Sequence, residues 1–214
     1  MFIDVADTEQ PRILGVVPPG SSARCVLIRG ANAYVADWDS GVQVISLASR
    51  DTPQVVTFVN TPGHAYDLAA EGGRLYVADF EGGTRVLDIS NPFRPRPLGA
   101  WSMMPAATGV ETAGDHVYVA DEQRGLFVVD VSDPDAPAVA SETRLEVAPN
   151  RVRVVGSTAL LSDRAGGVSL VDVSDPAAPR HLGRTQLGGS TVGMAAFGRQ
   201  ILLASGPLGR AELP

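Results

Sequence analysis

A block of 42 residues recurs through the 214-residue chain in one unbroken register, and this restricts the fold more than any other feature. Tyr34-Val35-Ala36-Asp37, Tyr76-Val77-Ala78-Asp79 and Tyr118-Val119-Ala120-Asp121 are spaced by that step, and Leu160-Leu161-Ser162-Asp163 and Leu202-Leu203-Ala204-Ser205 continue it. Asp4, Ser46, Asp88, Asp130 and Asp172 keep the same interval. So do Gly30, Gly72, Gly114, Gly156 and Gly198, and Pro11, Pro53, Pro95, Pro137 and Pro179. Independent markers sharing one phase without insertion or deletion define a single supersecondary unit used again and again.

Each unit reads as four short strands. In the third, Gly109–Ala113 forms a first strand and Gly114-Asp115 a turn, then His116–Ala120 a second strand rich in Tyr and Val. Asp121–Gly125 turns the chain, Leu126–Val131 is the third strand, and a proline-stiffened loop leads to an outer strand at Ala138–Thr143. Four strands per repeat select an all-β, five-bladed β-propeller over a sandwich or barrel. The 23 glycines and 16 prolines fit such turn-rich construction and argue against a helical protein.

The whole of 1–214 is expected to be one domain, with blades at about 17–59, 60–101, 102–143, 144–186 and 187–214 plus 1–16. Phe2-Ile3-Asp4-Val5 aligns with third strands and Arg12–Gly15 with outer ones, while Thr191–Ala196 and Gln200–Ala204 align with first and second strands. The last blade is therefore expected to combine the two chain ends and close the ring. Residues 211–214 fall in the same slot as residues 1–4, and the N-terminal copy has the fuller apolar pattern.

The blocks Leu126-Phe127-Val128-Val129-Asp130-Val131-Ser132-Asp133-Pro134 and Leu170-Val171-Asp172-Val173-Ser174-Asp175-Pro176, each preceded by its Ala/Ser-Asp turn, resemble the LVIVD repeat. That resemblance implies a bacterial or archaeal β-propeller, often displayed at the cell surface and mostly without an assigned reaction. The first full unit departs from it with Ser46-Leu47-Ala48-Ser49-Arg50, and the last lacks the turn aspartate at Ser205.

Composition narrows the function. A net charge of −7 disfavours a nucleic-acid partner. All 17 basic residues are arginine, and the absence of lysine removes Schiff-base chemistry and P-loop nucleotide binding. No apolar run approaches a membrane span. The opening Met1-Phe2-Ile3-Asp4 shows no export signal, so the chain as written reads as cytoplasmic, whereas the resemblance implies a surface or secreted protein if it is trimmed. A monomer is expected.

The repeated Asp37, Asp79, Asp121 and Asp163 share one face and are candidate metal ligands, with calcium the cation to consider. Their regular spacing favours carboxylates that bond backbone N–H groups in their own turns, so no cofactor is expected. Where the repeats disagree, at the start of each innermost strand, the sequence places Arg24, Tyr66 and Asn150, then Cys25, Asp67 and Arg151, with His64 one step earlier. Arg24, His64, Tyr66, Asp67, Asn150 and Arg151 form a candidate ligand site at the channel entrance. Paired arginines there suit a carboxylate or phosphate, and a His64–Asp67 pair suits a general base. Cys25 is a reactive thiol or a buried strand residue. Glu111 and Arg153, deeper on neighbouring strands, suit an ion pair across the channel. Trp101, Met103 and Met104, extended by Trp38 and Phe80, form a candidate partner surface.

The leading expectation is a non-catalytic binding module that presents its entrance face to a protein or glycan. Equal loop lengths and missing nucleophile motifs support it. A small hydrolase- or lyase-like enzyme at the channel mouth is the alternative, and a repeat segment of a longer cell-surface protein is another.

Overall fold

The computed structural model describes residues 1–49, 52–133, 135–186, 191–197 and 200–205. All regular structure among them is β-strand, and no helix is long and apolar enough to cross a membrane. Two strands, β1 (Phe2–Asp4) and β2 (Arg12–Gly15), form an antiparallel pair. Four four-stranded antiparallel sheets follow, each meandering from an innermost to an outermost strand. The first holds β3 (Cys25–Arg29), β4 (Asn32–Ala36), β5 (Val42–Ser46) and β6 (Gln54–Val59). The second holds β7 (Asp67–Glu71), β8 (Arg74–Ala78), β9 (Thr84–Asp88) and β10 (Arg96–Trp101). The third contains β11 (Ala107–Ala113), β12 (His116–Asp121), β13 (Gly125–Asp130) and β14 (Ala138–Thr143). In the fourth are β15 (Pro149–Val155), β16 (Thr158–Asp163), β17 (Gly167–Asp172) and β18 (Arg180–Gln186). A last pair, β19 (Thr191–Phe197) and β20 (Gln200–Ser205), ends the series. The architecture is propeller-like.

Burial explains why the second strands read as continuous apolar runs. Each sheet is sandwiched between two neighbours, so both faces of β4, β8, β12 and β16 are covered. Tyr34, Ala36, Val42 and Val44 pack against Leu68, Leu75 and Val77 of the next sheet. The opposite pleat, Ala33, Val35 and Ile45, packs against Phe2 of β1 and against Val17. Equivalent layers join Tyr76, Val86 and Met104 to Val117 and Phe127, and Tyr118 and Val128 to Val152 and Leu161. Of the outer strands, β10 and β18 are mostly exposed, while β6 and β14 are divided between exposed and half-buried positions. Each shows a shift in register against its neighbour, and β10 carries Pro97, devices that keep an open edge from recruiting another chain.

The innermost strands β3, β7, β11, β15 and β19 lie side by side in chain order. Their approach is close enough to dictate residue type. A Cβ on Gly109 would lie 2.8 Å from the Arg151 Cα.

The composite last blade expected from the repeat is not a single sheet here. Among the described residues, β1 pairs with β2 and β19 with β20, and the two pairs remain separate sheets. Each hairpin is held by the full sheet beside it, β1 through Phe2 on Ala33 and Val35, and β19–β20 through Met194, Ile201 and Leu203 on Leu160 and Val168. Residues 211–214, the rival candidates for the same slot, lie outside the described residues.

Candidate functional site

The turn aspartates build the scaffold of the entrance face. Asp37 accepts hydrogen bonds from the backbone N–H groups of Gly20 and Ser21, and Asp79 accepts one from Gly63 at 3.0 Å. Asp121 accepts from Ala106 at 2.8 Å and from Gln123 and Arg124 at 2.9 Å. Asp163 accepts from Ala165 at 2.8 Å and from the Arg184 Nε at 2.8 Å. All four are buried. Each of the four is thus engaged by local donors, and in the first three units they tie the incoming connection to the turn, where the sequence suggested each would serve its own turn alone. Among the described residues no group of three or more His, Cys, Asp or Glu is placed to hold a metal ion.

The residue after each of these aspartates points chemistry at the entrance. Trp38 and Phe80 adopt left-handed backbone conformations, with φ of 45° and 46°. For bulky side chains this costs roughly 1–2 kcal/mol each. The turn is held by bonds to the next repeat, Ala65 N–H donating to the Trp38 carbonyl and Phe80 N–H to the Ala107 carbonyl. The side chains then meet others from the inner-strand starts. Trp38 lies 4.7 Å from the Tyr66 ring, edge-on, and 4.6 Å from His64, while Phe80 lies 5.6 Å from Tyr66. The Arg24 guanidinium stacks over Trp38 at 4.2 Å.

Beside this stack is a cavity of about 350 Å³ lined by Arg24, Trp38, Tyr66, Asn150, Arg151, Arg164 and Thr191. Four of the candidates read from the sequence, Arg24, Tyr66, Asn150 and Arg151, therefore share one wall system. Local irregularity marks three of the inner-strand starts. Shifts in register between Ala107 and Gly109, between Pro149 and Arg151, and between Thr191 and Gly193 bulge the starts of β11, β15 and β19. Asn150 sits in such a bulge and donates from Nδ2 to the Thr191 carbonyl at 2.7 Å. Arg151 donates to the Thr108 carbonyl at 2.8 Å. Arg164 reaches across to the Tyr66 hydroxyl at 2.9 Å and pairs with Glu122 at 2.7 Å. Arg24 and Arg151 have no carboxylate within ion-pair distance among the described residues.

His64 and Asp67 take other roles. The His64 ring stands at the rim, with Nδ1 2.6 Å from Glu81 and Nε2 3.0 Å from Asp39. Asp67 is buried, receives the Val110 N–H at 3.3 Å and lies 3.8 Å from Arg153. The anticipated His64–Asp67 base pair does not form, because each member is already paired in a different direction. Glu111 lies 3.5 Å from Arg153, so those two do meet across neighbouring inner strands. Burial pushes the Glu111 carboxyl above its ordinary value, against the pull of Arg153. Burial, with the Asp67 charge added, pushes the Cys25 thiol up to about 12, which disfavours the thiolate that a nucleophile needs.

The apolar connection behaves differently from the partner surface expected of it. Met104 is fully buried in the core between the second and third sheets, and Trp101 is half-buried, stacked on Tyr76 at 5.8 Å. Met103 alone of the three is exposed. An apolar segment crossing the groove between two packed sheets is drawn into it by the same burial that forms the core. Trp38 and Phe80 belong instead to the entrance cluster.

Sequence reasoning missed Arg164, Thr191, Asp39 and Glu81, and it grouped Trp38 and Phe80 with the Trp101–Met104 connection. Trp38, Phe80, Glu122 and Arg164 occupy one repeat position, directly after the turn aspartate. Its variability is the signal that finds them.

Stacked four-stranded meanders around adjoining inner strands define a propeller-like repeat protein, and the comparisons agree. The LVIVD repeat matches residues 20–50, 62–99, 106–143 and 150–186, and the chain belongs to that family. Two solved structures share the fold. The computationally designed Ika8 protein is 10% identical with a TM-score of 0.64, over 86% of this chain and 55% of that one. The computationally designed Ika4 protein is 10% identical with a TM-score of 0.60, over 75% of this chain and 96% of that one. The chain thus spans about half the length of Ika8. No curated protein matches it.

Proposed function

We propose that this protein is a non-catalytic binding module whose entrance face, centred on the cavity between Arg24 and Arg164, receives a protein or glycan partner. One observation carries the reading: residues from the first, second, fourth and fifth repeats line a single cavity. Its volume lies at the lower end of the range used for small recognition groups. The side chains there are donors and aromatic rings, and the groups with acid–base or nucleophilic potential, His64, Asp67 and Cys25, are engaged elsewhere.

Closure of a five-bladed ring belongs to the same proposal. Arg24 of the first repeat and Thr191 of the last line one cavity, which supports a row of sheets that curls back on itself. In the closed ring β20 pairs with β1 and the last blade is assembled from both chain ends.

The test is a glycan array and a peptide array probed with the full chain, followed by Arg24→Gln and Trp38→Ser variants. Loss of a bound partner in both variants, with melting unchanged for Arg24→Gln, supports the reading. Partners that bind the variants as tightly as the parent, or empty arrays, overturn it.

A further inference from the structure

We propose that the entrance cavity recognises a sugar acid: a carboxylate on a hydroxylated ring, free or at the end of a glycan. This rests on the binding-module reading above and names the chemistry of its occupant.

The charge comes first. Arg24, Arg151 and Arg164 bring three guanidinium groups to one cavity in a protein of net charge −7. Glu122 offsets one of them through its 2.7 Å contact with Arg164. Each guanidinium is already held in place, Arg24 by the Trp38 ring, Arg151 by the Thr108 and Asn150 carbonyls, and Arg164 by the Tyr66 hydroxyl and Glu122. A planar fork fixed before the ligand arrives loses little entropy on binding, and two oxygens of a carboxylate match it bidentately.

The second observation is a polar atom without a partner. Thr191 is 1% exposed and lines the cavity, yet its Oγ1 has no hydrogen-bond partner among the described residues. A buried hydroxyl left unpaired costs free energy that a ligand hydroxyl would recover. An acidic peptide side chain offers a carboxylate but no hydroxyl beside it. The half-buried rings of Trp38 and Tyr66 line the cavity and add apolar surface beside the Arg24 guanidinium that lies over both. A compact carboxylate with ring hydroxyls answers all three features together.

Calorimetric titration of the full chain tests this with glucuronate, galacturonate, a galacturonate trisaccharide, glucose, inorganic phosphate and a glutamate-rich peptide. The expected result is saturable binding of a uronate, at least tenfold tighter than glucose. Arg24→Gln and Arg151→Gln should each weaken it about 10- to 100-fold, as loss of a charge-assisted contact does. Thr191→Val should weaken it by a smaller factor. Tighter binding of the trisaccharide than of free galacturonate identifies a glycan end as the source, and equal binding identifies the free acid. Arg24→Lys keeps the charge without the fork and separates geometry from folding if Arg151→Gln proves unstable. Equal binding of glucose and uronate overturns the proposal, as does phosphate or the peptide binding in place of the uronates. If no uronate binds but an array partner is still lost in Arg24→Gln, the sugar-acid class fails while the binding face stands. If array partners ignore the entrance variants, both fail.

Discussion

The guanidinium of Arg24 lies 4.2 Å from the centroid of the Trp38 ring, and the backbone of Trp38 is left-handed, with φ of 45°. The two facts belong together. The unfavourable backbone turns the indole toward the start of β3, where it can carry the cation, and Tyr66 approaches from the side at 4.7 Å. Local strain is here exchanged for the placement of a positive charge at the edge of the entrance cavity.

A comparison of two substitutions at Trp38 separates these effects. Trp38→Ala loses the stack and keeps a side chain in the left-handed region, whereas Trp38→Gly loses the stack and relieves the backbone. The glycine variant is expected to be more stable than the alanine variant by about 1 kcal/mol in denaturant unfolding. Both should lose partner binding to the same degree. An alanine variant as stable as glycine would remove backbone strain from the account.

His64 gives the entrance face a pH dependence. Its hydrogen bond to Glu81 raises the imidazole pKa above the ordinary value against the opposing effect of burial, and the Glu81, Asp39 and Asp79 charges add to the rise. The same bond lowers the Glu81 pKa. A raised histidine pKa contributes stability that is complete below the unfolded value of about 6.5 and is lost as pH climbs through the folded value. The Glu81 share is present above about 4.3 and lost as pH falls through its depressed folded value. The rim is therefore tightest in mildly acidic solution. Proton NMR titration should place His64 above 6.5 and return it toward that value in Glu81→Gln. A His64 that titrates at or below 6.5 in the parent would contradict the pairing. Because the His64 and Trp38 rings are 4.6 Å apart, Trp38 emission in a Trp101→Phe background should follow the same titration.

Gly109 is the residue that lets β11 and β15 meet. A methyl group there would fall 2.8 Å from the Arg151 Cα and 2.9 Å from the Val152 nitrogen, both backbone atoms that cannot rotate away. Gly109→Ala should cost about 1–3 kcal/mol, a fall of roughly 2–12 °C in the melting midpoint. It should also weaken binding at the entrance, since the Arg151 bond to the Thr108 carbonyl spans the same contact. Unchanged melting would mean that the inner strands are less closely packed.

Much of this was legible because a repeat converts one sequence into several aligned ones. Strand order, the turn glycines and the buried second strands follow from a phase that never slips. The entrance residues were half legible. Arg24, Tyr66, Asn150 and Arg151 stood out as variable positions at inner-strand starts, but Arg164 and Trp38 sit on a different turn and reach the same cavity only after the sheets pack. Met104 and Trp101 looked like surface because their segment is a connection. Burial is set by the groove the chain crosses, and a single repeat does not reveal that groove. His64 and Asp67 are near in sequence, yet adjacent positions at a strand start face different surroundings, and Asp39 and Glu81 of neighbouring turns take the histidine.

Closure can be tested at a register the repeat itself supplies. In the full sheets the second and third strands pair Tyr34 with Val44, Tyr76 with Val86, Tyr118 with Val128 and Leu160 with Leu170. Continuing that step sets Leu202 opposite Phe2 and Ile201 opposite Ile3 in the closed ring. Leu202 and Ile3 are both exposed in the open arrangement, as expected of apolar side chains whose neighbouring strand is absent. Ile3→Cys combined with Ile201→Cys should form an intramolecular disulfide on mild oxidation, seen as a mobility shift of the monomer that reductant reverses. The thiol of Cys25, pushed up to about 12, does not compete. The cross-linked form should also melt higher, by an amount consistent with the ~3–5 kcal/mol of a long closed loop. Disulfide-linked dimers in place of the monomer shift would show the two edges facing other molecules, and the ring would then be open in solution.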